Sequence, residues 1–316
     1  IVALVATGGS TNHTIHWIAI AKAAGIKIDW QDFSDISDIT PLLTRVYPNG
    51  TADVNHFHNS GGSEFVIREL LDAGLLYPDV KTVWGETLYD YTKRPELSNK
   101  EINWNNISPT SLDDTVVTTY DKPFQLNGGI KLLKGNIGRS VIKISAVDGA
   151  HRKIIAPAMV FDDQSDLKLA FEDGKMNKDL IAVVRFQGPK SNGMPELHKL
   201  TPPLSVIQNK GFKVAIVTDG RMSGASGKIP AAIHMSPEAA AGGSIAKIRQ
   251  GDIIRLNAVV GSMNVLIDDG EWDKRELVEM TETQKLNNGH GIGRELFGNM
   301  RKNVSSAEEG AITWTN

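Results

Sequence analysis

The sequence predicts an α/β chain in two parts, a helix-containing N-terminal region followed by a mostly β region. Its 316 residues exceed the ~250–300 residues over which a single core usually extends, so two domains are favoured. Capping residues and glycine stops mark helices up to about residue 115, and short Val- and Ile-rich runs separated by turn residues follow. We therefore predict domains at 1–115 and 116–316.

The N-terminal region begins with the apolar run Ile1–Ala6, which predicts a buried strand. A Gly-Gly turn follows, and Ser10, Thr11 or Asn12 is suited to cap the next helix. Further short helices are predicted because Ser and Asp recur as capping residues and glycines end the apolar periods. These helices lie within 30–60, at 63–73 and near 85–91.

The second region predicts short strands, because each apolar run is rich in β-branched residues and is bounded by turn residues. Two helices interrupt the strands, Asp163–Glu172 and Pro195–Asn209. The second helix is expected to break at Pro202-Pro203, since proline disrupts a helix interior. The predicted strands are 115–120, 140–147, 153–161, 180–186, 213–219, 252–260 and 264–268.

Composition excludes several classes of protein and site. The net charge of -3 shows no basic excess of the kind that nucleic-acid binding requires, and no apolar run approaches the ~20 residues of a membrane span. The absence of cysteine excludes disulfides, thiolate metal sites and a cysteine nucleophile within this chain. The chain starts at Ile1, inside an apparent core element, so we expect it to be the C-terminal portion of a longer cytoplasmic protein.

The segment TDGRMSGASGK, residues 218–228, is rich in glycine and serine and follows an apolar run. It is not a P-loop, because Met222 and Ile229 stand where that motif needs Gly and Ser or Thr. No serine in it has the flanking glycines of a G-x-S-x-G nucleophile elbow. The segment therefore predicts a glycine-rich loop that presents Arg221, Ser223 and Ser226 to a ligand, and a plain turn between strands is the alternative.

Two other stretches have a possible binding role. In TGGSTNHTIH, a Gly-Gly turn places Ser10, Thr11 and Asn12 at a helix start, where backbone N–H groups favour an anion such as carboxylate or phosphate. An ordinary N-cap is the alternative. In RFQGPKSNGMPELHKL, Glu196 falls at the start of a predicted helix, where the helix dipole alone favours an acidic residue.

Taken together, these stretches resemble the dehydratase family that holds dihydroxy-acid dehydratase and 6-phosphogluconate dehydratase. GGSTN before a helix, GPKSNGMPE, and TDGRMSGASGK followed by HMSPEAAAGGSIAKIRQGDIIR match the family signatures in that order, and the resemblance covers essentially the whole chain. Within the family, STNHTIH, NGMPELHKLTP and RMSGASGKIPAAIHMSPEA resemble the members that act on 6-phosphogluconate. A related sugar-acid or dihydroxy-acid dehydratase, and a non-catalytic binding fragment, are the alternatives.

The resemblance implies a hydro-lyase of the Entner–Doudoroff pathway that converts 6-phosphogluconate to 2-keto-3-deoxy-6-phosphogluconate. Ser223 matches the base that takes the C2 proton, and a serine needs nearby positive charge to act in this way. Glu196 matches a Mg²⁺ ligand, which suits a hard carboxylate oxygen. The positions expected to bind substrate are Ser10, Thr11, Asn12, Arg221 and Gly224.

The resemblance also implies cofactors, partners and a fold. An iron–sulfur cluster, 4Fe–4S or 2Fe–2S, is expected with its ligands outside this chain, so the chain alone should be inactive. Mg²⁺ and a phosphorylated sugar acid are the other expected ligands, a homodimer is expected, and nucleic acid and membranes are not. The fold implied is the C-terminal end of an α/β layered domain, followed by a β-barrel-like domain that carries the Ser223 loop.

Overall fold

The computed structural model describes residues 1–223 and 227–314. They form two compact units, one made of Ile1–Gly9 and Asp35–Gly129, the other of Ser10–Ser34 and Ile130–Asn316. The second unit therefore includes a segment from the N-terminal region of the sequence. A single domain boundary near residue 115 stays a prediction.

Helices dominate the N-terminal region, as predicted for the segment 30–60 and for residues 63–73. An Asp53 capping box starts the helix Val54–Ser60, and Gly61, at a φ of 144°, separates this helix from the helix Gly62–Asp72. The run Ile1–Ala6 is a helix, so the predicted strand is wrong; a short apolar run has no period that separates helix from strand. In chain order the helices are α1 (Val2–Ala6), α2 (His13–Ala23), α3 (Trp30–Ile39), α4 (Val54–Ser60) and α5 (Gly62–Asp72).

A two-stranded antiparallel hairpin, β1 (Lys93–Ser98) and β2 (Glu101–Asn106), follows a 3₁₀ turn at Leu88–Thr92 in the first unit. Both strands are largely exposed and polar, so no apolar alternation marked them. The predicted strand at 115–120 is wrong, because these residues contribute only an isolated bridge between Val117 and Thr44.

The second unit is built on a closed β-barrel of eight strands within the described residues. The order around the barrel is β10-β3-β4-β8-β7-β6-β5-β9, and β9 pairs with β10 to close it. The protein is therefore mixed α/β with a closed barrel. The barrel-like prediction for this region is confirmed, but helices contribute about as many of its described residues as strands, so the region is not mostly β. The strands are β3 (Ile130–Gly135), β4 (Gly138–Lys143), β5 (Lys153–Phe161), β6 (Leu180–Val184), β7 (Val214–Thr218), β8 (Ala231–Ser236), β9 (Ile253–Asn257) and β10 (Ser262–Val265).

Four neighbouring strands, β5 to β8, run parallel, so their carboxyl ends share one edge of the sheet. The helices α6 (Gln164–Glu172), α7 (Pro189–Asn192) and α8 (Thr201–Asn209) fall between these strands in the sequence. The predicted break at Pro202-Pro203 is wrong, because α8 begins at Thr201 and both prolines lie in its first turn, where no helical N–H bond is lost.

The interior of the barrel is apolar, with Ile142, Ile181, Val183, Val217 and Met263 among its buried side chains. β6 and β7 are buried along their whole length, which is typical of parallel strands covered on both faces. Three more helices follow the barrel strands, α9 (Asp269–Lys274), α10 (Glu282–Gly289) and α11 (Gly298–Asn303). Among the described residues, no helix has the length and apolar character needed to cross a membrane.

Candidate active site

The site lies at the carboxyl ends of β6 and β7, where the buried carboxylate of Asp219 links the segments that follow the two strands. Asp219 directly follows β7, and its Oδ1 accepts the backbone N–H of Gln187 at 2.8 Å. Its Oδ2 accepts the N–H groups of Phe186 at 3.1 Å and Ala239 at 3.0 Å. Asp219 therefore ties together the segments that follow β6, β7 and β8. Burial raises the pKa of Asp219 to about 7, against the lowering effect of these backbone hydrogen bonds.

Glu196, Arg221 and Ser223 form one connected group beside these strand ends. Glu196 Oε2 accepts from Arg221 Nη1 at 2.8 Å, and its Oε1 accepts the backbone N–H of Ser223 at 2.7 Å. Arg221 Nε also donates to the Met194 carbonyl at 2.7 Å. The two charged side chains are 31% and 26% exposed, so solvent screens their attraction. The group fixes the conformation of the loop around Ser223 more than it stabilises the fold.

Glu196 does not start a helix, so that part of the prediction is wrong. It forms an isolated parallel bridge with Arg221 and precedes a 3₁₀ turn at His198–Leu200. The helix dipole therefore does not account for its position, and its contacts with the Ser223 loop do.

Residues 10–12, the loop before α2, are hydrogen-bonded to residues 219–223, which we call the Ser223 loop. The Thr11 hydroxyl donates to the carbonyl of Met222 at 2.8 Å, and Thr11 is buried. Ser10 Oγ accepts the backbone N–H of Asn12 at 3.2 Å, so Ser10 belongs to the turn itself. Asn12 Oδ1 is buried and makes no hydrogen bond within the described residues, which leaves an acceptor for a ligand donor. Gly224, also predicted to bind substrate, and Ser226 of the predicted glycine-rich loop lie outside the described residues.

A buried histidine that the sequence interpretation missed supports this loop from the barrel. His234, on β8, is fully buried, and its Nδ1 lies 3.3 Å from the Thr14 hydroxyl, which donates to the Thr11 carbonyl at 2.8 Å. Its ring centroid lies 6.2 Å from that of Trp30, whose Nε1 donates to the Thr14 carbonyl. Burial, followed by the charges of Arg221 and His16, lowers the pKa of His234 to about 3, so the imidazole is neutral.

Arg221 influences the pKa values of two neighbouring histidines. The pKa of His16 is lowered by burial first, and then by the neighbouring His13 and by Arg221. Arg221 thus acts electrostatically on His16 at the surface and on His234 in the interior. Both shifts favour the neutral imidazole, so Arg221, which is paired with Glu196, supplies the positive charge here.

The segment GPKSN forms α7, and a carboxylate occupies its N-terminus. Glu238 accepts the backbone N–H of Lys190 at 2.8 Å and that of Ser191 at 3.1 Å. A Cβ on Gly188 would stand 2.3 Å from the Glu238 carboxylate, so only glycine leaves room for this contact. The amino end of α7 therefore binds a side chain of the protein rather than presenting free N–H groups to a substrate.

A small cavity separates the Ser223 loop from the barrel wall. Thr11, Met222, Ser223 and Lys143 line it, together with small and apolar residues of 227–233. Lys143 is the last residue of β4 and is 7% exposed. Burial lowers the pKa of Lys143 to about 8. Its signal in the sequence is a lysine within the apolar run SVIKISAV.

The residues present fit the two expected metal groups differently. Glu196 offers one carboxylate at the Ser223 loop, which suits a single ligand position on Mg²⁺, although each of its oxygens already accepts one hydrogen bond. In the part of the chain that the structure describes, no group of three or more His, Cys, Asp or Glu side chains is placed to hold a metal ion. The chain does not fit an iron–sulfur cluster, because it contains no cysteine.

Comparisons with known proteins match both parts of the chain. The model of the dihydroxy-acid/6-phosphogluconate dehydratase N-terminal domain matches residues 1–91, and that of the C-terminal domain matches residues 115–311. A phosphogluconate dehydratase of Pseudomonas aeruginosa is 55% identical over 315 residues, 100% of this chain and 51% of that protein. That of Escherichia coli strain K12 is 53% identical over 317 residues, 100% of this chain and 52% of that protein.

A dihydroxy-acid dehydratase of Caldanaerobacter subterraneus subsp. tengcongensis is less similar, at 35% identity over 312 residues, 98% of this chain and 52% of that protein. The chain spans about half the length of the curated relatives it matches. Two matched family models, with the motifs that build the Ser223 site, agree on one assignment: this chain belongs to the dihydroxy-acid/6-phosphogluconate dehydratase family.

Proposed function

We propose that the complete enzyme containing this chain dehydrates 6-phosphogluconate to 2-keto-3-deoxy-6-phosphogluconate, the reaction of the Entner–Doudoroff pathway. The observation that carries the proposal is the group of Ser223, Glu196, Arg221 and Thr11, held together in a chain that is 55% identical to a phosphogluconate dehydratase. The dihydroxy-acid dehydratase of Caldanaerobacter subterraneus subsp. tengcongensis is less similar, at 35% identity, which favours the sugar-acid substrate.

In this proposal Ser223 is the base. Its alkoxide takes the proton from C2, and the C3–O bond breaks. The departing hydroxide takes that proton from Ser223, so water is released and the alkoxide is restored, and the resulting enol tautomerises to the 2-keto product. The Glu196 carboxylate holds the backbone of Ser223, so that the loop does not reorganise during the proton transfer. The departing hydroxyl needs electrophilic assistance, which we assign to the part of the enzyme outside this chain.

In this proposal, substrate binding uses Arg221 and the loop before α2. Arg221 supplies positive charge for one anionic end of the substrate, while Ser10, Thr11, Asn12 and Gly224 form the other predicted contacts. The unpartnered Asn12 Oδ1 is suited to accept a hydrogen bond from a substrate hydroxyl.

Mg²⁺ and the iron–sulfur cluster would take their ligands from different parts of the enzyme. Glu196 would hold Mg²⁺, which when bound would acidify the C2 proton by binding the substrate carboxylate. The iron–sulfur cluster implied by the family would take its ligands from outside this chain, so this chain alone would not turn over substrate. We further propose that residues 1–115 are the C-terminal end of an α/β layered domain, that residues 116–316 are the barrel-like domain with the Ser223 loop, and that the enzyme is a cytoplasmic homodimer.

A substrate comparison tests the proposal. The complete enzyme, purified without oxygen and with its metals, is assayed with 6-phosphogluconate, gluconate and a branched-chain dihydroxy acid. We expect kcat/KM for 6-phosphogluconate to exceed that of gluconate at least tenfold, because the phosphate contributes a charged contact. Equal turnover of the two sugar acids would favour the related sugar-acid dehydratase, and turnover of none would favour a binding role.

A further inference from the structure

The cavity behind the Ser223 loop contains a buried lysine that the proposed mechanism does not use. Lys143 ends β4, and β4 runs antiparallel to β8, with Val141 paired to Ile233. Lys143 lies two residues beyond that pair, toward the start of β8, where the glycine-rich loop re-enters the barrel. The topology thus places this lysine against the loop that carries Ser223.

The alternation of β4 places Lys143 on the loop side of the barrel wall. Ile142 and Ile144 belong to the apolar barrel interior, so Lys143, between them, faces the other way. There it lines the same cavity as Ser223, while Thr11, Met222 and Ile233 contribute uncharged walls. Lys143 is 7% exposed, so its ammonium group lies where water screens charge weakly.

We propose that Lys143 is a positioning residue for the dehydration, and that its ammonium group stabilises the alkoxide of Ser223 across their shared cavity. The inference rests on the proposed role of Ser223 as base. It accounts for the near-complete burial of a charged side chain on this strand, which costs free energy of desolvation. A preorganised charge beside a developing anion is a common source of catalysis, because it needs no reorganisation when the proton moves.

Loss of the Lys143 proton at high pH gives the expected pH dependence of kcat/KM. Burial lowers the pKa of Lys143 to about 8, so the side chain is charged below that pH and loses its proton above it. The described residues that line the cavity from the loop before α2, from the Ser223 loop and from β8 include no other charged side chain. We therefore expect kcat/KM to fall as pH rises through about 8.

Three variants of the complete metal-loaded enzyme test the inference: Lys143→Met, Lys143→Arg and, as a control, Lys153→Met, which alters an exposed lysine on β5. We expect Lys143→Met to lower kcat roughly ten- to a hundredfold with KM changed less than about threefold, because one charge near an alkoxide is lost. Lys143→Arg should restore much of kcat and move the alkaline fall to higher pH, since arginine stays charged. Lys153→Met should match the wild type.

Either of two results would overturn the inference. One is a wild-type kcat/KM that stays level or rises between pH 7 and 10, a measurement that does not depend on a variant folding. Another is Lys143→Met protein with wild-type circular dichroism and cluster absorbance that also keeps wild-type kcat. Wild-type turnover of 6-phosphogluconate tests the proposed function separately. The ratio of wild-type kcat to Lys143→Met kcat is measured with whichever acid the wild type dehydrates.

Discussion

At the scale of single residues, Glu196 combines two roles that the sequence motif does not separate. It anchors the Ser223 loop through Arg221 and the Ser223 amide, and it is the proposed Mg²⁺ ligand. The anchoring role depends on both members of the ion pair, whereas the metal role depends on the carboxylate alone. A comparison of the two partners therefore distinguishes them.

We predict that Glu196→Gln and Arg221→Met both lower kcat of the complete enzyme, but that only Glu196→Gln changes the Mg²⁺ requirement. The Mg²⁺ concentration for half-maximal activity should rise by at least the ~10–100-fold that loss of a supporting residue costs at a metal site. A Mg²⁺ titration of each variant measures this. If both variants kept the wild-type requirement, Glu196 would be an anchor only.

Asp219 gives a prediction for stability against pH. Its folded pKa of about 7 lies above the ordinary value of 3.8, so the folded state binds the proton more tightly than the unfolded state. The resulting stability is complete below about pH 4 and declines as pH rises to about 7, by at most roughly 4 kcal/mol. Asp219→Asn should flatten this decline and also lower stability at every pH, because its NH₂ group cannot accept the N–H bonds.

Thermal unfolding of the complete enzyme between pH 4 and 7 measures the effect. The exposed Asp79→Asn serves as the matched control and should follow the wild-type curve. An Asp219→Asn curve parallel to the wild type across this range would show that Asp219 stays ionised in the folded protein.

The residues found from the sequence differ from those missed in one physical respect. Ser223, Arg221 and Glu196 stand in glycine-rich segments, whose composition shows that the backbone approaches something closely. Lys143 and His234 sit in strands, and their role arises from neighbours far away in the sequence. The 3.3 Å contact of His234 with Thr14 spans 220 residues and leaves no local pattern.

At the scale of elements, the loop before α2 and the Ser223 loop act as one structure through the Thr11 hydrogen bond. We predict that Thr11→Val loosens the segment 219–223, because the buried Met222 carbonyl loses its donor at a cost of about 1–3 kcal/mol. Amide hydrogen exchange of this segment should become faster, and kcat should fall. Thr11→Ser keeps the hydroxyl and is the matched control.

If Thr11→Val and Thr11→Ser showed the same exchange rates in that segment, the hydrogen bond would not position the Ser223 loop.

Strands could be predicted from the sequence where the apolar pattern and the flanking turn residues lie within the strand and its immediate neighbours. The strand 153–161 was predicted with its observed bounds, since its β-branched run is bounded by turn residues. β3 and β8 were missed because glycine, lysine and small residues interrupt their patterns. The hairpin of β1 and β2 was missed because exposed polar strands have no apolar face to mark them.

At the scale of the whole molecule, closure of the barrel could not be predicted from the periodicity of its strands. It depends on the pairing of β10 with β3, which joins residues more than a hundred positions apart, Ser262 and Lys134. Membership of Ser10–Ser34 in the second unit is equally non-local, since it rests on contacts such as that of Thr11 with Met222. Before the structure, only the family resemblance indicated a barrel, and the predicted division at residue 115 placed Ser10–Ser34 in the first domain.

The central claim is that Ser223 is the base of a dehydration, and Ser223→Ala in the complete metal-loaded enzyme tests it most directly. The measurement is kcat with 6-phosphogluconate, with Ser205→Ala on α8 as the matched control and cluster absorbance as the check on assembly. We predict a fall in kcat of at least roughly a hundredfold, the lower end of what a positioned base contributes, with absorbance unchanged. A Ser223→Ala enzyme that kept kcat within about threefold of the wild type would contradict the account.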